Sequence, residues 1–139
     1  MTTIPLHELL PHRPPLLLIA TLEEATDESC ITHVHVDPGA WYAGPDGAMP
    51  AWFGLELMAQ SAAALGGFRN KSTNKPGSAY LLGTRRYECT TPIFPGDAVL
   101  EVEAKLDYAD VFGQSAFICE IRLGETVVAS ATLRVVENT

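Results

Sequence analysis

The chain has 139 residues, of which 47% are hydrophobic and 19% charged, and its formal net charge is −8. This length suits one globular domain with a substantial core, spanning residues 1–139. The acidic excess argues against a nucleic-acid-binding protein, because phosphates require a basic face.

Three cysteines, Cys30, Cys89 and Cys119, are widely spaced and form no CxxC pair. They fit neither a disulfide framework nor a zinc site, so we expect reduced thiols. Because the chain opens with neither a basic start nor a long apolar run, we expect no signal peptide and a cytoplasmic location.

The first part of the chain predicts a short helical turn at residues 6–10 and two strands. Residues 16–22 form an apolar run that is typical of a buried strand. Residues 30–36 alternate in polarity, so His33 and His35 share one face of a second strand. Two histidines at this spacing could bind a metal ion, or one of them could act as a base. No third metal ligand is evident, so we predict no metal site.

The most apolar stretch, residues 37–67, reads DPGAWYAGPDGAMPAWFGLELMAQSAAALGG and predicts a loop followed by a helix. Pro50 suits the first helical position, and Gly66-Gly67 predicts the helix end. The predicted helix is apolar nearly all round, which favours its burial on most sides. This helix is too short for a membrane span, and it carries the polar residues Glu56 and Gln60.

Glu56 is the one ionisable side chain between Asp46 and Arg69. Gln60 follows four residues later and therefore shares its helix face. A buried carboxyl must be paired, hydrogen-bonded or protonated, and burial favours the protonated form that proton transfer uses. Pairing with an arginine or capping of a loop is the structural alternative.

Four strands are predicted after the helix, at residues 79–89, 99–106, 115–123 and 126–136. With the two earlier strands they can form an antiparallel sheet that curls one apolar face around the helix and leaves the other in water. An unpaired sheet edge is a liability that a second copy would cover, so we expect a dimer.

Four segments carry a family resemblance: LLPHRPPLLLI (9–19), AMPAWFGLELMAQSAAA (48–64), PIFPGDAVLEVEAKL (92–106) and ETVVASATLRVV (125–136). Together they resemble the 3-hydroxyacyl-[acyl-carrier-protein] dehydratases of fatty acid synthesis. LLGTRRYE (81–88) resembles a divergent branch, the dehydratase-like proteins associated with aryl-polyene pigment biosynthesis. The resemblance implies an α+β hotdog fold, in which a long central helix is wrapped by a six-stranded antiparallel sheet, and no cofactor.

The resemblance also implies roles for residues of the helix. Glu56 falls on the family's catalytic acid, and Gln60 on the glutamine one turn later, which we expect to contact the substrate. Pro50 and Ala51 fall on the helix start, where the family holds the thioester carbonyl with a backbone N–H. Helix N-termini present free N–H groups and a partial positive charge, which suits the oxygen that becomes enolate-like during elimination.

The family's histidine in the loop before the helix has no counterpart here, and Tyr42 lies nearest to its place. Elimination of water needs a base and an acid, and histidine suits both tasks. Glu56 would be the base, with Tyr42 or water as the acid. Alternatively, His33 or His35 takes part. Tyr42 could also simply pack against Trp41.

Two pairs of neighbouring residues are candidates for substrate contacts. Arg85 and Arg86 point to opposite faces of a strand, so one could meet Glu56 or substrate and the other a carrier's acidic surface or phosphate arm. An exposed charge plus one structural ion pair is the alternative. Trp52 and Phe53 could line an acyl tunnel or pack in the core.

These observations favour a (3R)-3-hydroxyacyl-[acyl-carrier-protein] dehydratase, a hydro-lyase of fatty acid or aryl-polyene-type synthesis. One alternative is a catalytically impaired, acyl-binding subunit in a mixed dimer with an active dehydratase, and another is an acyl thioesterase. The expected partners are an acyl carrier protein, its acyl thioester and a second subunit, with no nucleic acid and no membrane.

Overall fold

The structure, a computed structural model, describes residues 5–10, 12–73 and 78–138. The predicted turn near the start is a 3₁₀ helix at Leu6–Glu8. The other elements, in chain order, are β1 (Thr21–Ala25), β2 (Ser29–His35), β3 (Met49–Pro50), α1 (Phe53–Thr73), β4 (Ser78–Cys89), β5 (Ile93–Phe94), β6 (Val99–Ala109), β7 (Gln114–Leu123) and β8 (Thr126–Asn138).

Six of these strands form one antiparallel sheet in the order β1-β2-β6-β7-β8-β4, and α1 packs against its inner face. Strands β3 and β5 pair separately, just before the start of α1 and after the end of β4. This is the predicted α+β hotdog arrangement, a long helix enclosed by a six-stranded sheet. The predicted order of two strands, a helix and four strands is thus confirmed for the main sheet.

The core follows the alternation in the sequence. Val34 on β2 and Leu100 and Val102 on β6 are fully buried, whereas the intervening side chains reach the outer surface. Leu57 and Leu65 of α1 are fully buried against these strands. Alternate strand residues point to opposite faces, so a polar–apolar alternation is enough to place one face on the helix.

The first strand lies later in the chain than residues 16–22, where we expected it. It runs over Thr21–Ala25, and the preceding backbone is held by a side chain of the helix. Gln60 accepts the N–H groups of Leu18 and Ile19 and donates to the carbonyl of Leu16. The first part of the apolar run therefore bonds to Gln60, and pairing with β2 begins only near Thr21.

Both predicted ends of the helix are wrong. Pro50 pairs in β3, and α1 begins only at Phe53. The helix also passes through Gly66 and Gly67 to Thr73, so residues 70–73 of the predicted loop are helical, and its residues 74–77 lie outside the described residues. A Cβ on Gly67 would overlap the carbonyl of Leu9, so this glycine permits a close approach instead of ending the helix.

The three cysteines are free thiols, as predicted. Burial raises the pKa of Cys30 and that of Cys119 from 9.0 to about 12, so both remain protonated and unreactive near neutral pH. None of the helices that the structure describes has the length and hydropathy needed to cross a membrane.

Candidate active site

A cavity of about 580 Å³ opens beside the first two turns of α1. Its lining is almost entirely apolar, and one carboxyl and one imidazole are the ionisable groups in it. The lining residues are His12, Leu16, Leu18, Trp41, Trp52, Phe53, Leu55, Glu56 and Ala59. Apolar walls with a few convergent polar groups are typical of small-molecule sites of this size.

Gln60 holds the Glu56 carboxylate in place. The Gln60 side chain is buried, and its Nε2 donates to Glu56 Oε2 at 3.1 Å and to the Leu16 carbonyl at 2.8 Å. Its Oε1 accepts the N–H of Leu18 at 2.8 Å. One amide thus orients the carboxylate and fixes the apolar segment that forms part of the cavity wall. Its predicted contact with the substrate stays a prediction.

Glu56 is more open to solvent than we predicted. Its side chain is 47% exposed in the single chain, so the expectation of a deeply buried acid is wrong for the single chain. The carboxylate sits in the first turn of α1, at the mouth of the cavity, and Leu16, Trp41 and Trp52 around it are exposed as well. Its described partners are Gln60 and a histidine, rather than the arginine that we weighed as an alternative.

That histidine, His12, is a site residue that the sequence did not reveal. Its Nε2 lies 3.9 Å from Glu56 Oε2, and its ring lines the cavity. His12 precedes the segment that Gln60 pins to the helix, which brings it to Glu56 from far away in the sequence. The only signal available was its place in PHRPP, and that spacing carries no information about α1.

The backbone donors at the helix start differ from the expected ones. The Ala51 N–H donates to the Pro92 carbonyl at 3.0 Å, so it is occupied, and its predicted role as the free thioester donor is wrong. The N–H groups of Trp52 and Phe53 have no acceptor among the residues that the structure describes. The hydroxyl of Tyr87 donates to the Ala51 carbonyl at 2.5 Å and braces this turn.

Tyr42 does not present its hydroxyl to the cavity. That oxygen accepts the Asp37 N–H at 2.9 Å, and the ring packs 5.7 Å from Trp41 and 5.9 Å from Phe53. This is the packing role that we left open as the alternative to a catalytic one. Trp52, by contrast, lines the cavity and is exposed, so it does not pack in the core, and its predicted contact with the substrate stays a prediction.

The remaining candidates lie away from the cavity. His33 and His35 are on the outer face of β2, where His33 lies 3.8 Å from Glu101 and His35 lies 3.5 Å from Asp97. Arg85 is exposed on β4 and does not belong to the described cavity lining. The structure thus gathers Glu56, Gln60 and Trp52 of the predicted residues and adds His12.

The protein has a hotdog fold, and its candidate site is a carboxylate held in an apolar cavity. Comparison with known proteins identifies the class of protein. A family model described as ApeP-like, ApeP dehydratase, matches residues 4–139. The chain belongs to this ApeP-like dehydratase family. The predicted kinship with hotdog dehydratases, and with it a hydro-lyase activity, is confirmed.

Three related proteins agree with this assignment. A 3-hydroxyacyl-[acyl-carrier-protein] dehydratase FabZ of Acinetobacter baumannii is 28% identical over 138 residues, which cover 94% of this chain and 91% of that protein. The FabZ of Methylobacterium nodulans is 35% identical over 98 residues, or 66% of this chain and 62% of the relative. A chain in the structure of the dehydratase heterocomplex ApeI:P from Xenorhabdus doucetiae has 26% sequence identity to this chain. The two superimpose with a TM-score of 0.91, over 99% of this chain and 93% of that one.

Proposed function

We propose that this chain eliminates water from a 3-hydroxyacyl thioester carried by an acyl carrier protein, in fatty acid or aryl-polyene-type synthesis. The observation that carries the proposal is the Glu56 carboxylate, held by Gln60 in an apolar cavity at the start of α1. The two FabZ relatives, named for this substrate class, support it.

The geometry suits Glu56 as the base. Gln60 engages Oε2, and Oε1 has no hydrogen-bond partner among the described residues, so Oε1 is available to take the proton from C2 of the substrate. Loss of that proton places negative charge on the thioester oxygen. The N–H groups of Trp52 and Phe53, at the positive end of the helix dipole, are suited to receive this oxygen.

The cavity wall suits an acyl tail. Leu16, Leu18 and Ala59 present apolar surface next to the carboxylate, so the hydrocarbon can leave water where the reacting carbons meet Glu56. Arg85 and Arg86 are exposed together on β4, and we assign them to the acidic surface or phosphate arm of the carrier.

A second subunit completes the site in this proposal. Leu16, Trp41 and Trp52 expose 62%, 56% and 71% of their surface at the cavity mouth, an apolar rim that a partner would cover. The partner is either a second copy or a related dehydratase. The heterocomplex named for the Xenorhabdus structure favours the mixed pair.

The test is turnover of a 3-hydroxyacyl carrier protein by wild-type protein and by Glu56→Gln, with the enoyl product measured by mass spectrometry. Loss of a proton-transfer group costs about 10²–10⁴-fold in rate, so we expect that loss in Glu56→Gln. Glu125→Gln, in the exposed β7–β8 turn, is the control and should keep wild-type turnover.

Full activity of Glu56→Gln would refute the assignment. Product formation only after addition of a partner dehydratase, with no dependence on Glu56, would establish the acyl-binding alternative. Release of free acid instead of the enoyl thioester would establish a thioesterase.

A further inference from the structure

We propose that His12 is the catalytic acid that protonates the departing hydroxyl group. This deepens the proposed dehydration and depends on it. The cavity beside Glu56 has one other ionisable group among its described lining residues, and that group is the His12 imidazole.

The position of the ring fits this task. Nε2 lies 3.9 Å from Glu56 Oε2, and both residues line the cavity. A 3-hydroxyacyl chain lying across these neighbouring groups would present C2 to the carboxylate and the C3 hydroxyl to the imidazole. Nδ1 is buried and has no hydrogen-bond partner among the described residues. Native proteins retain few such atoms, and those that persist call for a functional explanation.

Two charged side chains, Arg13 and Glu56, lie near His12 among the described residues, and only Glu56 is directed at its Nε2. Arg13, the adjacent cation, turns its guanidinium to the backbone carbonyls of Leu10, His12 and His7. Glu56 is the charged group that faces the imidazole from α1. An imidazole can give and take a proton near neutral pH, which a catalytic acid must do in each cycle.

The other candidates for the acid are engaged elsewhere. The Tyr42 hydroxyl accepts the Asp37 backbone N–H, and Tyr42 does not belong to the described cavity lining. His33 and His35 lie on the outer face of the sheet, which is separated from the cavity by the core. His12 therefore takes the place that the missing loop histidine left open.

Glu56 and His12 together supply and accept every proton that the elimination moves. Glu56 takes the proton from C2, and the electron pair of that C–H bond becomes the C2–C3 double bond. The C3–O bond breaks as the imidazolium of His12 gives its Nε2 proton to the oxygen, and water leaves. The proton on Glu56 then passes to His12 Nε2, which restores the carboxylate and the imidazolium.

A pair of substrates that differ only in the leaving group tests this role. The probes are a 3-hydroxyacyl and a 3-chloroacyl thioester with the same tail on the same carrier, because chloride departs without a proton. We expect His12→Gln to lower kcat/KM for the hydroxy substrate by about 10²–10⁴-fold and to leave chloride elimination near wild type. His33→Gln is the matched control and should leave both rates unchanged.

Retained hydroxyl elimination in His12→Gln, or equal losses on both substrates, would overturn the role of His12. Failure of the wild-type protein to act on either substrate, with or without a partner dehydratase, would instead refute the proposed dehydration.

Discussion

At the scale of single residues, Gln60 organises the site. Its side chain is 1% exposed and bonds three backbone groups of the segment before β1, in addition to Glu56. An amide is suited to this because it donates and accepts at once. The same side chain therefore supports the cavity wall and orients the base.

Replacement of Gln60 by Met should separate packing from hydrogen bonding, because the volume is nearly kept. The backbone groups of residues 16–19 would lose their partners, so we expect a loss of about 2–4 kcal/mol in the free energy of unfolding, measured with urea. Gln114→Met, at the start of β7, is the control. A loss no larger than in that control would show that water replaces the amide without cost.

The sequence reveals residue pairs that one element brings together, and it hides those joined by tertiary structure. Glu56 and Gln60 were predictable because four residues make one helical turn. His12 was not, because its approach to Glu56 depends on the bonds of Gln60 to a distant segment. Ala51 was misassigned because its N–H meets Pro92, a contact that no local pattern encodes.

At the scale of elements, the glycine pair Gly66-Gly67 lies inside α1 and does not end the helix. Glycine commonly ends helices, and that rule predicted an end at Gly66-Gly67. The helix instead continues to Thr73, and Gly67 lies directly against the backbone of Leu9. The strand pattern, by contrast, predicted the sheet well, because alternation reports burial directly while glycine reports only permitted backbone angles.

The two glycines should respond oppositely to alanine. No atom lies within 4 Å of a Cβ built on Gly66, so Gly66→Ala should stabilise the protein by about 0.5–1 kcal/mol through helix propensity. Gly67→Ala should destabilise it by about 1–3 kcal/mol, because the methyl group meets Leu9. Thermal unfolding of the two variants measures the difference, and equal shifts would contradict the close approach of α1 to Leu9.

At the scale of the whole molecule, the single chain leaves its cavity open. The carboxylate and the apolar rim of Leu16, Trp41 and Trp52 share one surface. Elimination benefits from the exclusion of water, since fixed dipoles act more strongly in a dry site. A partner subunit over this rim would reconcile the exposure of Glu56 with its proposed chemistry.

Sedimentation should therefore give a mass of twice the 15.0 kDa chain, for this protein alone or for an equimolar mixture with its partner dehydratase. Buried aromatic residues often dominate interface energies, so Trp52→Lys should weaken association by about 2 kcal/mol or more. Val111→Lys changes an even more exposed apolar residue, in the β6–β7 turn, and should have no effect. A monomer in every mixture would contradict the covered rim.

The most direct measurement follows a carrier-bound 3-hydroxyacyl chain by mass spectrometry, with and without a partner dehydratase, for the wild type and Glu56→Gln. We expect the wild-type protein to convert the chain to the enoyl thioester with loss of one water, and the variant to leave it unchanged. Equal conversion by both proteins would show that the carboxylate held by Gln60 does not take the substrate proton.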